Sequence, residues 1–303
     1  MDRIDPSSIQ ATLTTRAFGR ELVYLPRTGS TNDVAKDLAA QGAPEGTVVL
    51  ADEQVAGRGR MGRRWLAPPG TCLLCSILFR PHLPPAQAQR LTMLCSLAAA
   101  DAVEQVAGLR VSVKWPNDLV VKAQNPKPKA QIPNPKSQIP NLKSRNWCKL
   151  AGVLTETGVM GEQVKSQIPN PKSQNWWLEY VIVGIGINVN VEPDVLPTLA
   201  PDATSVLAEV GRRVDRGALL VALLAGVEQR YEALRAGVSP RREWAARLAT
   251  LGQPVEVTTS EGVMTGVAES VDADGALLLR TADGALRRLL AGDVTLDRRA
   301  DET

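Results

Sequence analysis

Residues 54–65 read Gln-Val-Ala-Gly-Arg-Gly-Arg-Met-Gly-Arg-Arg-Trp. Three glycines (Gly57, Gly59, Gly62) alternate with Arg58, Arg60, Arg63 and Arg64, and an indole, Trp65, closes the run. Glycine lets the backbone bend sharply and carry its N–H groups close to a ligand. Arginine presents a planar, permanently charged fork that matches carboxylate and phosphate oxygens. Such a loop can enclose a polyanion while the tryptophan stacks a base. By itself it reads equally as a solvated basic turn, or as an arginine–glycine patch that grips nucleic acid.

Outward from the loop the chain alternates strand and helix patterns. Residues 47–51 form an apolar strand leading into it, and 71–79 a second strand beyond it. Ser30-Thr31-Asn32-Asp33 is a helix start, followed by Val34, Ala35, Leu38 and Ala39 on one face. Residues 87–106 predict an apolar helix through Leu91, Leu94, Cys95 and Ala98. Short strands at 111–115 and 119–122 flank Pro116-Asn117-Asp118, and longer ones at 149–156 and 178–190 are expected to pair as a hairpin. A helix over 216–236 follows, with a last one around Trp244 and Leu248. From Gly252 short strands separated by Glu261-Gly262, Asp274-Gly275 and Asp283-Gly284 predict a small all-β barrel of roughly fifty residues. The expected division is 1–250 for the main domain and 251–303 for the barrel.

Two segments interrupt this order. Residues 131–138, Gln-Ile-Pro-Asn-Pro-Lys-Ser-Gln, recur letter for letter at 167–174. Their proline content and polarity suit solvated linker, so both regions, near 123–147 and 162–175, read as insertions into surface loops; the other reading is a pair of docking arms.

Composition removes several classes. With 303 residues, 44% hydrophobic and 22% charged, the chain can bury a core and is not disordered throughout. No apolar run spans a bilayer and the amino terminus lacks a secretory core, which predicts a cytoplasmic protein without membrane association. Five of the positive charges behind the net +3 lie in 123–146, so the remainder is slightly acidic and argues against a nucleic-acid binder. Cys72 and Cys75 sit three apart on a strand and point to opposite faces, and His82 is the single histidine. A zinc site or a histidine-based triad is therefore not expected.

Ser30-Thr31-Asn32, the 54–65 loop, Lys114-Trp115-Pro116-Asn117-Asp118, Lys149-Leu150-Ala151-Gly152-Val153-Leu154-Thr155-Glu156 and Gly184-Ile185-Gly186-Ile187-Asn188-Val189 stand in this order. Together they resemble the biotin–protein ligases over about residues 22–297. The resemblance implies an α/β (α+β) catalytic domain with a mixed sheet, related to class II aminoacyl-tRNA synthetases, followed by the small barrel. It implies ATP-dependent formation of biotinyl-5′-AMP, with Mg²⁺ on the phosphates, and transfer of biotin to a lysine of carboxylase carrier domains such as that of acetyl-CoA carboxylase. Carried over residue by residue, it implies Ser30, Thr31, Asn32, Gln54, Gly57, Arg58, Lys149 and Gly152 for biotin. It implies Arg58, Arg60, Arg63, Trp65, Asn117, Asp118, Lys149 and Asn188 for ATP, with Lys149, Arg58 and Arg60 at the reaction and no metal ligand named. The chemistry agrees, because joining a carboxylate to a triphosphate requires fixed positive charge.

Relatives that double as repressors carry an amino-terminal helix–turn–helix. About two dozen residues precede the core here, so no DNA partner is expected; a homodimer is an open expectation. A lipoate–protein ligase-like acyltransferase is the nearest rival, and a nucleic-acid module the more distant one.

Overall fold

The computed structural model describes residues 4–123, 147–159 and 177–296. Most of both Pro-Lys segments lies outside them. A short helix α1 (Pro6–Thr12), capped by the Asp5 carboxylate, precedes β1 (Leu22–Leu25), α2 (Thr31–Ala40) and β2 (Val48–Ala51). Strand β3 (Cys72–Phe79) leads to α3 (Gln89–Ala107), then β4 (Ser112–Lys114), β5 (Asp118–Lys122), β6 (Trp147–Val159) and β7 (Leu178–Asn188). These seven strands make one sheet in the order β1-β2-β3-β7-β6-β5-β4, with β1 parallel to β2 and every other pair antiparallel. The sheet is therefore mixed, and β6 and β7 form the expected hairpin.

Alternation sorts the sheet into two faces. Leu73, Cys75, Ile77 and Phe79 of β3 join Val181, Val183, Ile185 and Ile187 of β7 in the main core. Two long helices cover that face: α3 and α6 (Arg216–Arg235), the latter capped by Asp215 and burying Leu219, Leu220, Leu223, Leu224 and Val227. On the other face α2 packs Ala35 and Ala39 on Val49, Leu78 and Ile182. Beside α2, the register Ser76↔Gly184 and Leu74↔Gly186 on one side, and Gly152↔Gly186 on the other, leaves a strip nearly free of large side chains. Cys72 and Cys75 do lie on opposite faces, and burial pushes their thiols up to about 11 and about 12.

Two short helices, α4 (Leu196–Leu199) and α5 (Val206–Val210), connect β7 to α6, and α7 (Arg241–Arg247) follows it. The chain ends in a second, antiparallel sheet of β8 (Pro254–Thr259), β9 (Gly262–Val271), β10 (Leu277–Arg280), β11 (Leu286–Leu289) and β12 (Asp293–Leu296), ordered β11-β10-β9-β8-β12. It is fastened to the first sheet by buried Trp115, whose indole N–H donates to Gly275 O at 2.9 Å while its backbone N–H donates to Thr250 Oγ1 at 2.9 Å.

Candidate active site

The arginine–glycine loop is a closed ribbon, not a slack turn. Trp65 N donates to Gly57 O at 2.9 Å and Gly59 N to Arg63 O at 2.7 Å, with Met61 at φ 55° in the turn. A Cβ on Gly57 would stand 2.7 Å from Trp65 O, so glycine is required there. The root of the ribbon is laced to the segment before α2: Val55 N donates to Thr28 O and Ala56 N to Gly29 O. Beneath it, buried Arg216 donates to Asp52 Oδ1 at 2.8 Å and to Cys72 O at 3.1 Å, joining the strand that enters the loop to the strand that leaves it.

The three arginines leave the ribbon in different directions. Arg58 forks onto Asp33 of α2, 2.6 and 2.5 Å to its two oxygens, and lies 3.6 Å from Glu156 of β6. The hydrogen bond from Arg58 holds the Asp33 carboxyl below its ordinary value. Arg63 reaches the second sheet and pairs with Asp293 at 2.6 Å. Arg60 is different. It touches Asn117 Oδ1 at 3.3 Å and Gly292 O at 3.4 Å, and among the described residues it makes no ion pair. Burial pulls its pKa down, against the more distant pull of Asp118 and Asp293. A partly buried guanidinium facing neutral oxygens is a ready anion partner.

Lys149 stands beside it. A register shift in the β5–β6 ladder puts its side chain on the open face, where Nζ is 2.7 Å from Asp118 Oδ1 and 5.7 Å from the centre of the Trp65 ring. The indole lies on the glycine strip. A Cβ on Gly186 would be 2.8 Å from Trp65 Cε2, and one on Gly152 would be 3.4 Å from Cζ3 and 3.7 Å from Lys149 Nζ. Trp65 Nε1 is buried and has no hydrogen-bond partner among the described residues. Asn117 is locked into β6, its Nδ2 donating to Val153 O at 2.7 Å. Thus Arg60, Trp65, Asn117, Asp118, Lys149 and Gly152 converge at one end. Asn188 does not join them directly: its amide donates to Thr204 O at 3.0 Å and accepts from Cys72 Sγ at 3.6 Å, so both its ends serve the scaffold.

The other end of the strip is a polar pocket at the start of α2. Ser30 holds the cap position of the helix, yet its hydroxyl makes no capping hydrogen bond. Gln54 Oε1 accepts from Thr31 N at 2.7 Å and from Thr31 Oγ1 at 3.0 Å, which leaves the Gln54 Nε2 donors for another group. Ser76 Oγ lies 2.7 Å from Thr31 Oγ1 and 2.6 Å from Asn32 Oδ1. Asn32 Nδ2 donates to Glu156 Oε2 at 2.5 Å, and Lys36 Nζ sits 2.8 Å from Glu156 Oε1. Burial alone would raise the Glu156 pKa; Lys36 and Asn32 donate to it and Lys36 and Arg58 face it, so it is held below its ordinary value. A Cβ on Gly184 would run into Asn32 Oδ1, which explains a second glycine on β7.

Sequence reasoning passed over Ser76, Lys36 and Asp293 and assigned Glu156 no role. Ser76 did leave a trace, as the lone hydroxyl inside the otherwise apolar strand 72–79. No group of three or more acidic, histidine or cysteine side chains that could hold a metal ion occurs among the described residues.

A model of the biotin/lipoate A/B protein ligase family matches residues 24–167, and one of the biotin protein ligase C-terminal domain matches 250–297. The bifunctional ligase/repressor BirA of Bacillus subtilis is 31% identical over 297 residues, covering 97% of this chain and 79% of that protein. A biotin–[acetyl-CoA-carboxylase] ligase of Paracoccus denitrificans is 34% identical over 268 residues, covering 86% and 94%. Among solved structures, the biotin protein ligase from Aquifex aeolicus in complex with biotin and ATP superimposes with a TM-score of 0.66 at 24% identity, covering 92% of this chain and 99% of that one. That last likeness is one of fold.

Proposed function

Since the chain belongs to the biotin–protein ligase family, we propose that this site activates biotin with ATP and passes it to a lysine of a carboxylase carrier domain. The observation that carries the reading is the pairing of Lys149 and Arg60 at one end of the glycine strip with a neutral hydrogen-bonding pocket at the other. An acid whose far end is a polar, uncharged ring fits that polarity. Ser30, Thr31, Gln54 and the backbone near Gly57 hold the ureido ring, with Asn32 behind them and Gly152 flooring the chain that leads to the carboxylate.

The carboxylate oxygen attacks the α-phosphorus and pyrophosphate leaves. Lys149 stands between the two anions as a compact point charge and stabilises the negative charge that builds between them. It must exchange Asp118 for substrate oxygens, and Asp118 keeps it aimed until then. Arg60 supplies its uncommitted charge to the phosphates, and Arg58 and Arg63 add theirs by releasing Asp33 and Asp293. Trp65 flanks the nucleotide, with Asn117 and Asp118 at that end and Asn188 setting the end of β7. Magnesium would arrive with the nucleotide and offset charge on its phosphates, and Asp118 and Asp293 are the acids at that end that would help hold it. In the second step the amine of the carrier lysine attacks the acyl carbon and AMP leaves.

No helix among the described residues is long and apolar enough to cross a membrane, and we place the enzyme in the cytoplasm with its carrier substrates. The test is direct: purified protein with ATP, Mg²⁺ and either biotin or lipoate, followed by pyrophosphate release. Biotin-dependent release and labelling of an added carrier domain are expected. Release with lipoate and none with biotin would transfer the site to the other branch of the family.

A further inference from the structure

Lys149 is held by its backbone as well as by its side chain. The β6–β7 ladder begins at Ala151↔Ile187, so β7 stops short of Lys149. Residues 202–204 take its place along that edge of β6. Lys149 N donates to Asp202 O at 2.6 Å and Thr204 N donates to Lys149 O at 2.8 Å, a parallel bridge centred on Ala203. With its N–H and C=O both gripped by one segment, the two peptide planes that meet at the Lys149 Cα are fixed, and with them the direction in which the side chain leaves. The bulge that turns Lys149 toward the site makes the ladder to β5 irregular at this point, so the opposite edge carries the restraint. The segment is itself tied down at buried Thr204. The Thr204 carbonyl accepts from Asn188 Nδ2 at 3.0 Å and its hydroxyl donates to Glu209 Oε1 at 2.5 Å. The next residue, buried Ser205, donates its hydroxyl to Val191 O at 2.7 Å.

We infer that Thr204 is a positioning residue for the reaction: held by Asn188 and Glu209, it fixes the backbone of Lys149 and so aims the ammonium at the two anions. This rests on the functional reading above. Asp118 cannot supply that aim at the moment of reaction, because the ammonium has to leave it for substrate oxygens. The backbone hold persists through the exchange. It also gives the Asn188 amide a part in the chemistry at one remove, through the carbonyl it anchors.

The experiment uses Thr204→Val in the full chain, which keeps the shape of the side chain and removes its hold on Glu209. Thr204→Ser is the variant that keeps the hold. Glu209→Ala removes the same hydrogen bond from its partly exposed side, and serves should Thr204→Val fold poorly. Rates of biotinyl-AMP formation are measured over a range of biotin and ATP, with and without Lys149→Ala. In Thr204→Val, kcat should fall about tenfold, short of the roughly hundredfold that a full ångström of misplacement costs. Both KM values should stay within about twofold, and Thr204→Ser should retain the wild-type kcat. In the Lys149→Ala background, followed in single turnovers, Thr204→Val should change the rate by less than about twofold, because no ammonium is left to aim. A hold that served folding alone would lower the melting temperature and leave kcat per folded molecule unchanged. Unchanged kcat in both Thr204→Val and Glu209→Ala, an undiminished loss in the Lys149→Ala background, or a rise in the KM for ATP alone would each overturn the positioning role while leaving the biotin reading intact. A wild-type enzyme that consumed lipoate and ignored biotin would overturn the functional reading, and the positioning role with it.

Discussion

The two faces of β7 differ sharply. Toward α3 and α6 the strand presents Val181, Val183, Ile185 and Ile187, all buried in the main core. Toward the site, one residue out of step, it presents Gly184, Gly186 and Asn188. Branched side chains on a pleated surface contribute packing and rigidity, whereas glycine contributes neither. The strand therefore divides its labour by parity. One face holds the sheet together, and the other gives up side chains so that Asn32 and Trp65 can lie against the backbone. Stability and activity should separate along one strand.

The largest effect should come from the chemical end of the open face. Lys149→Ala should lower biotinyl-AMP formation on the order of a thousandfold, the scale of removing a preorganised charge, and move the melting temperature by no more than about 2 °C. Lys149→Arg should not restore it, because a broad fork cannot stand in for a point charge. Stopped assays of adenylate yield alongside calorimetry check both halves. Normal turnover in Lys149→Ala would remove this residue from the mechanism.

On the packed face, Ile185→Ala should cost about 3 kcal/mol of stability by leaving a cavity, while kcat/KM per folded molecule stays within about twofold. Urea melts paired with active-site titration decide it. Its neighbour Gly186→Ala should do the converse. The added methyl must displace Trp65, which lies 2.8–3.0 Å away, so activity should fall roughly thirtyfold, about 2 kcal/mol of barrier, with little change in melting. If both substitutions reduced stability alone, the parity argument would fail.

Acid should act on the open face through its carboxylates. Asp33, Glu156 and Asp293 all have folded-state pKa values below their ordinary 3.8, 4.5 and 3.8. Depressed carboxylates contribute stability that is complete above the unfolded-state values and is lost as pH falls through the folded-state ones. Stability should thus be flat from neutrality down to about pH 5 and decline below about pH 4, and Asp33→Asn with Asp293→Asn should flatten that decline. The smallest effect belongs to the hairpin tips. Lys122 pairs with Trp147 and Val159 with Leu178, so each repeated segment bridges strand ends that are already adjacent. Replacing 123–146 and 160–177 by two-residue turns should leave adenylation within about twofold, since loop length changes closure entropy only slowly.

Much of this fold was legible because an unbroken apolar run marks the buried strand 72–79 and apolar residues keep the helical period at 89–107, and because turn pairs punctuate the second sheet. Strand β1 escaped notice: four half-buried residues carry no clear alternation. Strand β12 escaped too, since Asp293 and Thr295 interrupt it and its partner β8 is remote in sequence. At the site, the loop, Lys149 and Trp65 were visible as motifs, because glycine and charge at short spacing are conspicuous. The partners of the arginines were not. Arg58 meets Asp33 and Arg63 meets Asp293, separations of 25 and 230 residues that no local pattern encodes. Ser76 was hidden for a different reason, since a single hydroxyl in an apolar strand reads as a tolerated exception until its register against Gly184 is known.

The bridge from Arg63 to Asp293, with Arg60 close to the Gly292 carbonyl, makes the terminal sheet a stakeholder in a reaction it does not perform. On the proposed reading, editing residues 292 and 293 should retune nucleotide affinity from outside the catalytic sheet, because Asp293 holds Arg63 and the Gly292 carbonyl faces Arg60.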